Sequence, residues 1–560
     1  MRTWTNITGT ITGITASASK IEMAVHHVGA NDVLYVGIIG SANVLSAMWR
    51  SANPAAGAPP AWVQMDTPVI HNGSQGNLDF SIATDPGNAN LVYIAGDSIA
   101  LPPFTGILFR GDASRALGSQ FTPIMDFDAG FTAPHADSRE MVVDAAGSLL
   151  QCDDGGIYRR SSPQTGAGTW TSVVGNLAVM EAHDVAYDSV AKVCMIGTQD
   201  NGTHIQASSG FTGWTAISGG DGGDVAIDDV TIPGQSIRYG SSQKLLGFYR
   251  SVYNSSNTLE FTVFPARTLL SGSPAIGVQC VTPVEVNKVA PTRLAIGGSN
   301  SVYESLDQGN SVTALSVGFG VNWLPPALAY GGRQGGVANP DVLYYGSGST
   351  VRHRTTAGAL VTATPTAFPG GTVQDVILDS NDWTRVFVAD SSAVFVTPDS
   401  GTTWQNITGN LTNVGIIRCL EFFDLNGTDC VAAGTGIGVY VSFVNNLGVW
   451  SRLGTGMPNA VAFDMSYNPS GDVLVVGTLG RGAYKLDFGR IYADANFTGP
   501  NPNGSPVAPF PTMASVVAAA ESGDTIRVFG ANYPPAIRVT KNVRIEKWNK
   551  AGSGTVTIGR

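Results

Sequence analysis

The chain has 560 residues, of which 69 are Gly and 30 are Pro, and only 13% of it is charged. This length exceeds one ordinary hydrophobic core, and the turn-rich composition predicts an all-β protein built from many short strands. The net charge is −11 and no basic run occurs, which argues against nucleic acid or an anionic membrane surface as a partner.

The cysteines and the apolar residues point to no special environment. Five cysteines occur, an odd number without a C-x-x-C pair, and the strand patterns around Cys152, Cys194 and Cys419 predict buried free thiols. No run of 18 apolar residues is present, so no transmembrane helix is predicted. The N-terminus lacks the apolar core of a signal peptide, which leaves either a cytosolic protein or one whose signal has been removed.

One pattern recurs down the first 490 residues: an apolar strand that often ends in Asp, a turn, a second strand that ends in Gly, and a third strand. Such copies at intervals of roughly 40 to 58 residues match the four-stranded blades of a β-propeller. Residues 4–8 resemble residues 404–408, so the N-terminal strand is predicted to close a single ten-bladed ring as the outer strand of the last blade. Clear copies occupy residues 80–96, 141–159, 185–197, 376–389 and 461–477, and weaker ones begin near Ile21, Val225, Ile276, Ala327 and Ile417.

Polar side chains concentrate between residues 135 and 224, at equivalent positions of successive copies. Because equivalent positions are related by a rotation about the ring axis, we expect these side chains on one rim near the central channel. Three interpretations stay open: satisfied turn backbone, a calcium site, or a pair of glycosidase carboxylates. The candidate residues are His135, Asp137, Asp154, His183, Asp184, Gln199, Asp200, Asp221 and Asp224.

Several other chemistries find no support in the sequence. The spacing of His135, His183 and His204 fits no standard zinc pattern. No Gly-x-Ser-x-Gly elbow and no P-loop occurs.

Residues 397–404, Thr-Pro-Asp-Ser-Gly-Thr-Thr-Trp, predict a tight hairpin turn. The Asp399 carboxylate can accept hydrogen bonds from the backbone of the turn, Gly401 tolerates a positive φ, and Trp404 covers the turn with an apolar ring. Residues 305–309 are a degraded copy of the same pattern. The motif resembles the Asp-box of sialidase-like propellers, which implies an architectural role.

A family resemblance covers most of residues 1–490. The run His135-x-Asp137, Asp154-Gly-Gly-Ile-Tyr-Arg159, Gly197-Thr-Gln-Asp-Asn-Gly-Thr203 and Gly219-Gly-Asp-Gly-Gly223 resembles bacterial secreted Asp-box propellers, which are related to the sortilin-type propeller and to xyloglucan-cleaving glycoside hydrolases. Gly477-Thr-Leu-Gly-Arg481-Gly-Ala-Tyr484 resembles their closing-blade motif, which adds Arg481 to the candidates. The resemblance is specific for the fold and implies no single activity.

The recurring strand pattern ends near Arg490, so a second domain is predicted over residues 491–560. An Ala-rich helix from Met513 to Ala520 precedes Gly523-Asp-Thr-Ile526 and short strands, which resembles the cap and first coils of a pectate-lyase-like parallel β-helix. About two coils would fit, and a solenoid needs roughly three or more repeats, so we expect the β-helix to continue beyond residue 560.

These patterns together predict an extracellular or cell-surface binding or scaffold propeller whose partner is a glycan or a protein. The alternative is a glycoside hydrolase that cleaves a polysaccharide with a pair of Asp carboxylates. No cofactor is required by either function, and calcium is the one candidate. Neither nucleic acid binding nor membrane insertion is expected.

Overall fold

The computed structural model describes residues 11, 17–27, 32–52, 61–270, 272–324, 326–425, 428–499, 502, 504, 509–520, 524–530, 532–548 and 555–558. The chain divides into two compact units, Met1–Leu177 and Ala178–Arg560. The predicted domain boundary at residue 490 lies inside the second unit and stays a prediction.

The described residues of the first unit form three four-stranded antiparallel sheets, which we number as blades 1 to 3. Their innermost strands β1, β5 and β9 pack side by side in that order. Blade 1 is β1 (Lys20–His26), β2 (Val33–Ile39), β3 (Leu45–Ala52) and β4 (Trp62–Met65); blade 2 is β5 (Ser81–Thr84), β6 (Leu91–Ser98), β7 (Gly106–Asp112) and β8 (Phe121–Pro123); blade 3 is β9 (Glu140–Val143), β10 (Leu149–Asp153), β11 (Gly156–Arg160) and β12 (Trp170–Ser172).

In the second unit, the part of the chain that the structure describes forms seven antiparallel sheets, blades 4 to 10. Blade 6 has an additional short strand, β21, which runs parallel to β25 at the edge of the sheet, and the described part of blade 10 has three strands. Blade 4 is β13 (Ala182–Asp188), β14 (Val193–Thr198), β15 (Gly202–Gln206) and β16 (Trp214–Ala216); blade 5 is β17 (Ala226–Asp228), β18 (Gln235–Ser242), β19 (Leu246–Asn254) and β20 (Leu259–Val263); blade 6 is β21 (Thr268–Leu269), β22 (Val284–Val286), β23 (Leu294–Gly297), β24 (Val302–Ser305) and β25 (Ser311–Ala314); blade 7 is β26 (Leu328–Gln334), β27 (Val337–Ser347), β28 (Thr350–Arg354) and β29 (Thr362–Ala363); blade 8 is β30 (Asp375–Leu378), β31 (Val386–Ala389), β32 (Val394–Thr397) and β33 (Gln405–Asn406); blade 9 is β34 (Ile417–Leu425), β35 (Thr428–Thr435), β36 (Gly438–Phe443) and β37 (Trp450–Arg452); blade 10 is β38 (Val461–Asn468), β39 (Val473–Leu479) and β40 (Ala483–Asp487).

The core of each unit lies between neighbouring blades. A second strand such as β31, Val-Phe-Val-Ala, is buried along its whole length because both faces of its sheet are covered. In the second unit Phe387 of blade 8 stacks on Phe422 of blade 9, with ring centroids 5.6 Å apart. Such packing explains why the second strands read as continuous runs of β-branched and aromatic residues rather than as alternating ones.

The seven blades of the second unit close on themselves. Each innermost strand packs on the next, from β13 through β17, β22, β26, β30 and β34 to β38, and β38 packs directly on β13. The Val185 N–H of β13 donates to Asp464 Oδ2 of β38 at 3.0 Å, and Asn468 Nδ2 donates to the Tyr187 carbonyl at 2.9 Å. Because nothing separates β13 from β38, the predicted single ring of ten blades is wrong. The ten predicted copies correspond to ten sheets, but seven of them form a ring.

The predicted closure by the N-terminal strand concerns residues 4–8, which lie outside the described residues. The closure seen between blades 10 and 4 uses innermost strands instead. It buries Ala182, Val185 and Ile196 of blade 4 against Val473 and Val475 of blade 10.

Residue 490 marks a change from antiparallel to parallel pairing. Strands β41 (Arg490–Ala493), β42 (Thr525–Val528) and β44 (Arg544–Lys547) form a parallel sheet in which Ile491, Ile526 and Ile545 are in register. Strands β43 (Asn532–Tyr533) and β45 (Thr557–Ile558) form a second parallel pair. Helix α1 (Met513–Ala519) follows Thr512, whose hydroxyl accepts the Ser515 N–H at 3.1 Å as an N-cap.

The remaining general expectations can be compared with the structure. None of the helices in the described part of the chain is long and apolar enough to cross a membrane. All five cysteines are free thiols; Cys194, Cys419 and Cys430 are buried, whereas Cys152 is exposed, contrary to the strand pattern. Cys152 is exposed because it points away from the blade core in β10.

Candidate functional site

Acidic side chains on the innermost strands link neighbouring blades of the ring. The Asp184 Oδ2 atom of blade 4 accepts the Val225 N–H of blade 5 at 2.5 Å. The same bond recurs at other interfaces, so a carboxylate of one blade satisfies a backbone donor of the next. The further pairs are Asp224 with Val284, Asp375 with Leu420 at 2.7 Å, Glu421 with Tyr467 at 2.8 Å and Asp464 with Val185 at 3.0 Å.

Three of these carboxyl groups also bind one another. The Asp184 carboxyl shares side-chain hydrogen bonds with those of Asp224 and Asp464. Burial raises the pKa of each of the three well above its usual range, and the neighbouring carboxyls add to this effect at Asp184 and Asp464. Two carboxyls can share a hydrogen bond only when one holds a proton, so this group is partly protonated at neutral pH.

One lysine lies among these acids. Burial alone would lower the pKa of Lys288, but the charges of Glu285 and Glu421 raise it. Burial raises the pKa of Glu285 to about 7, although Lys288 opposes the shift. The centre of the ring is therefore an acidic environment in which carboxyls far outnumber this one lysine among the described residues.

Gln199, Asp200 and Asp221 lie at the face where the innermost strands begin, which we call the entry face of the ring. In an antiparallel sheet the turn between the second and third strands returns to the starting end of the first, as the pairing of Ala182 with Thr198 shows. The Gln199 Nε2 atom donates to Asp200 Oδ1 at 2.9 Å and to Asp221 Oδ1 at 2.8 Å. Asp221 N–H in turn donates to Gln243 Oε1 of blade 5 at 3.1 Å.

Close backbone packing builds this face. Gly202 has φ of +80°, and a Cβ atom there would lie 2.0 Å from the Ser218 carbonyl oxygen. The glycine-rich run therefore allows the loop before blade 5 to lie on the turn of blade 4.

The other predicted residues of the second unit have different surroundings. His183 is buried beside the Phe463 ring, and its Nε2 atom has no hydrogen-bond partner among the residues that the structure describes. Burial lowers the pKa of His183, and the charge of Asp200 opposes the shift. His204 Nε2 contacts the Asn201 carbonyl at 2.7 Å. Arg481 lies in the β39–β40 turn, also at the entry face, and its exposed guanidinium donates to the Gly480 carbonyl at 2.7 Å.

His135, Asp137 and Asp154 belong to the first unit, so the convergence of all nine residues on one rim stays a prediction. Arg139 binds Asp154 through two hydrogen bonds of 2.8 and 2.7 Å, and its Nη1 atom lies 2.8 Å from Asp79 Oδ1. Asp137 adopts φ of 68° and donates its N–H to the Asp97 carbonyl at 3.1 Å. His135 packs against Gly155, where a Cβ atom would lie 2.5 Å from the histidine Cβ.

Asp79 is the titratable group of this cluster that differs most from a surface carboxylate. Its side chain is fully buried, and burial raises its pKa to about 7 although the Arg139 charge opposes the shift. Asp137, Asp154 and Asp97 add repulsion that favours the protonated form. Near neutral pH this carboxyl exists in both protonation states.

The calcium interpretation stays a prediction. Within the described residues, no group of three or more His, Cys, Asp or Glu side chains is arranged to hold a metal ion. The Asp184 oxygens accept the Val185 and Val225 N–H groups.

Sequence reasoning missed most of the residues that complete these clusters. Asp79 and Arg139 were not singled out, and neither were Glu285, Lys288, Asp375, Glu421 and Asp464 in the ring. The signal that could have found the ring acids is an acidic residue directly before an apolar strand residue, as in Asp184-Val185, Asp224-Val225 and Asp375-Val376. The weak copies were too irregular to reveal this shared position.

Comparison with known proteins supports the fold. No protein-family profile and no curated protein matches the sequence. Among solved structures, an ancestral GH74 enzyme matches with a TM-score of 0.53 and 13% identity over 83% of this chain and 71% of its own. The chain is a β-propeller protein. A Niastella koreensis GH74 enzyme matches with a TM-score of 0.49 and 15% identity over 81% of this chain and 66% of its own, and YCF48 from Cyanidioschyzon merolae with 0.37 and 12% over 55% and 95%.

Proposed function

We propose that this propeller is an extracellular or cell-surface binding and scaffold protein that recognises a glycan or a protein partner. The observation that supports this function is that the ring carboxylates are engaged in hydrogen bonds between blades. Asp184 and Asp224, two of the candidate acids, accept backbone N–H groups of the next blade. Carboxylates that hold a ring together are unavailable to a substrate, and the rigid ring then presents its loops as a binding surface.

The test combines binding and turnover on the full chain. We expect a glycan array or a protein partner screen to give saturable binding, and a reducing-sugar assay on the bound polysaccharides to show no release. Release that is lost in a catalytic-acid variant would overturn the binding function.

The alternative function, glycoside hydrolysis, has one observation in its favour. In the first unit Asp79, with a pKa of about 7, and Asp154 bind the same arginine, Arg139. A carboxyl whose pKa is raised to near neutrality and that lies beside a second carboxyl resembles the pair that glycosidases use as acid and as base or nucleophile. Asp79→Asn would abolish reducing-sugar release under this hypothesis, and release unchanged by it would exclude Asp79 as the acid.

We also infer that residues 491–560 form the first coils of a parallel β-helix. The parallel pairing of β41 with β42 and of β42 with β44 supports it, because coils of this kind stack parallel strands, and Ile526 is buried there with Ile491 packed against the same cluster. Ala493, Met513, Val516 and Val528 are buried in the same cluster, so helix α1 covers one end of it.

A further inference from the structure

A groove of about 320 Å³ opens at the entry face between blades 5 and 6. It lies beside the predicted site residues, because Gln243, which binds Asp221, is followed by Lys244, whose N–H donates to the Cys280 carbonyl at 2.9 Å. The wall is aliphatic and open to solvent: Leu246, Leu269 and Val278 are 60%, 41% and 44% exposed. Exposed aliphatic side chains grouped in a concave surface indicate a partner.

Two cationic side chains, Lys244 and Arg267, line this aliphatic groove. Among the described residues, no carboxylate lies within ion-pair distance of Lys244 or Arg267. The Arg267 guanidinium lies over the Phe248 ring, 5.5 Å from its centroid, and makes one long contact of 3.5 Å with the Leu245 carbonyl. Burial lowers its pKa. In a chain with a net charge of −11, a half-buried arginine without a carboxylate partner favours an anionic group on the ligand.

The groove also has a free strand edge. Strand β21 is the outer strand of blade 6. The Thr268 N–H donates to the carbonyl of Asn310, just before β25, and the Leu270 N–H donates to that of Val312 in β25. Leu269, between them, turns its backbone groups to the opposite side, where the described part of the sheet has no further strand. Such an edge can pair with an extended peptide by main-chain hydrogen bonds.

The backbone around the groove is strained. Lys244, Leu245 and Arg267 have φ of 58°, 56° and 51°, which is the left-handed region that non-glycine residues rarely adopt. A left-handed leucine is costly, and clusters of such residues occur at ligand sites, where the fold holds side chains in position.

We propose that the Lys244–Arg267 groove binds an extended peptide segment of a partner protein, with aliphatic side chains in the groove and a carboxylate on Arg267 and Lys244. A peptide fits better than a sugar, because sugar hydroxyls need polar partners and this wall offers mainly methyl groups. The inference rests on the proposed binding function and names the partner class of its entry face.

The experiment uses the full chain on an array of randomised ten-residue peptides. We expect bound peptides to be enriched about fivefold or more in Asp or Glu together with Leu, Ile or Val. The double variant Lys244→Glu, Arg267→Glu should reverse the charge preference to Lys and Arg. The control is Lys192→Glu, because Lys192 is an exposed lysine with φ of 58° in the β13–β14 turn, at the opposite end of blade 4, and it should leave the preference unchanged.

The outcomes separate this inference from the proposed function. If bound peptides show no enrichment, the groove does not bind acidic peptides. The same conclusion follows if the acidic preference survives the double charge reversal in a variant with the native melting temperature. If the double variant does not fold, Lys244→Gln, Arg267→Gln should lose the acidic preference and keep the aliphatic one. Glycan binding without peptide binding would leave the binding function standing while overturning the groove, and glycan cleavage would overturn the binding function itself.

Discussion

The turn at residues 397–404 shows how much a single side chain determines locally. Asp399 Oδ1 accepts the Thr403 N–H at 2.8 Å, and Thr397 Oγ1 accepts the Gly401 N–H at 2.8 Å. Gly401 has φ of +85°, and a Cβ atom there would lie 2.5 Å from the Thr364 side chain, so only glycine fits. Trp404 packs on Phe368 with ring centroids 5.3 Å apart.

The degraded copy at residues 305–311 forms the same bonds. Asp307 Oδ1 accepts the Ser311 N–H at 2.9 Å, and Ser305 Oγ accepts the Gly309 N–H at 2.8 Å. The hydrogen-bond pattern therefore needs the Asp, the hydroxyl two residues before it and the glycine, whereas the tryptophan is dispensable.

We expect Asp399→Ala and Asp307→Ala each to lower the free energy of unfolding by about 1 kcal/mol, because each removes charge-assisted hydrogen bonds to a turn. The side chain of Asp399 is half-exposed, which keeps the cost low. Urea unfolding of the two variants and the wild type measures this loss of free energy. Partner binding by the folded variants should be unchanged, and lost binding at native stability would show that the turn has a functional role.

At the scale of elements, the bond between Asp464 and Val185 closes the ring. Asp464→Ala removes one of the two carboxylates that accept the Val185 N–H, and with it the side-chain hydrogen bond to Asp184. We therefore expect the free energy of unfolding to fall by about 1–2 kcal/mol. Asp464→Asn is the matched control, because its amide oxygen can still accept that N–H and it carries no charge. In urea unfolding at pH 7.5, the free energy of unfolding of Asp464→Asn should equal or exceed that of the wild type. That of Asp464→Ala should be lower. Equal stability of Ala and wild type would contradict a closing role for this bond.

The parallel strands after residue 490 allow a test of their coil arrangement. Ile526 is fully buried between Ile491 and Ile545, whereas Ile545 is 41% exposed. Ile526→Asp should expose residues 491–560 to limited proteolysis and leave the ring resistant, because an unpaired buried carboxylate costs several kcal/mol. Ile545→Asp, the exposed control, should have a much smaller effect. Similar cleavage of both variants would argue against stacked coils.

At the scale of the whole molecule, the acidic centre of the ring links stability to pH. The pKa of Glu285 is raised to about 7 in the folded chain, above that of an unfolded glutamate, so its stabilising contribution is present at low pH and is lost as pH rises through 7. Buried histidines such as His183 have a lowered pKa in the folded chain. Their protonation therefore favours the unfolded chain, and their contribution to stability falls as the pH drops below about 7.

Comparison of the wild type with Glu285→Gln isolates the glutamate. We expect the variant to gain more than about 1 kcal/mol relative to the wild type between pH 6 and pH 8.5, because glutamine cannot ionise. Melting temperatures across this range measure the difference. A difference that is constant with pH would mean that Glu285 is already ionised, with Lys288 offsetting its burial.

The sequence by itself determined the local features of this protein. The ten copies and the hairpin turn at Asp399 were predictable, because strand pairing within a blade and hydrogen bonds within a turn join residues that are close along the chain. Parallel strands after Arg490 were expected only through the resemblance to a parallel β-helix, because strands that pair there, such as β41 and β42, lie 35 residues apart. Gln199, Asp200 and Asp221 could be nominated because a glycine-rich loop surrounds them.

Only the tertiary structure decided how the blades assemble and what their carboxylates do. The contact between Val185 and Asp464 spans 279 residues, and nothing in either strand reveals that blade 10 meets blade 4 rather than blade 1. The hydrogen bonds that Asp184 shares with Asp224 and Asp464 follow from that closure. The same is true of the groove, whose Lys244 and Arg267 come from different blades and whose charges are uncompensated only because of where the ring places them.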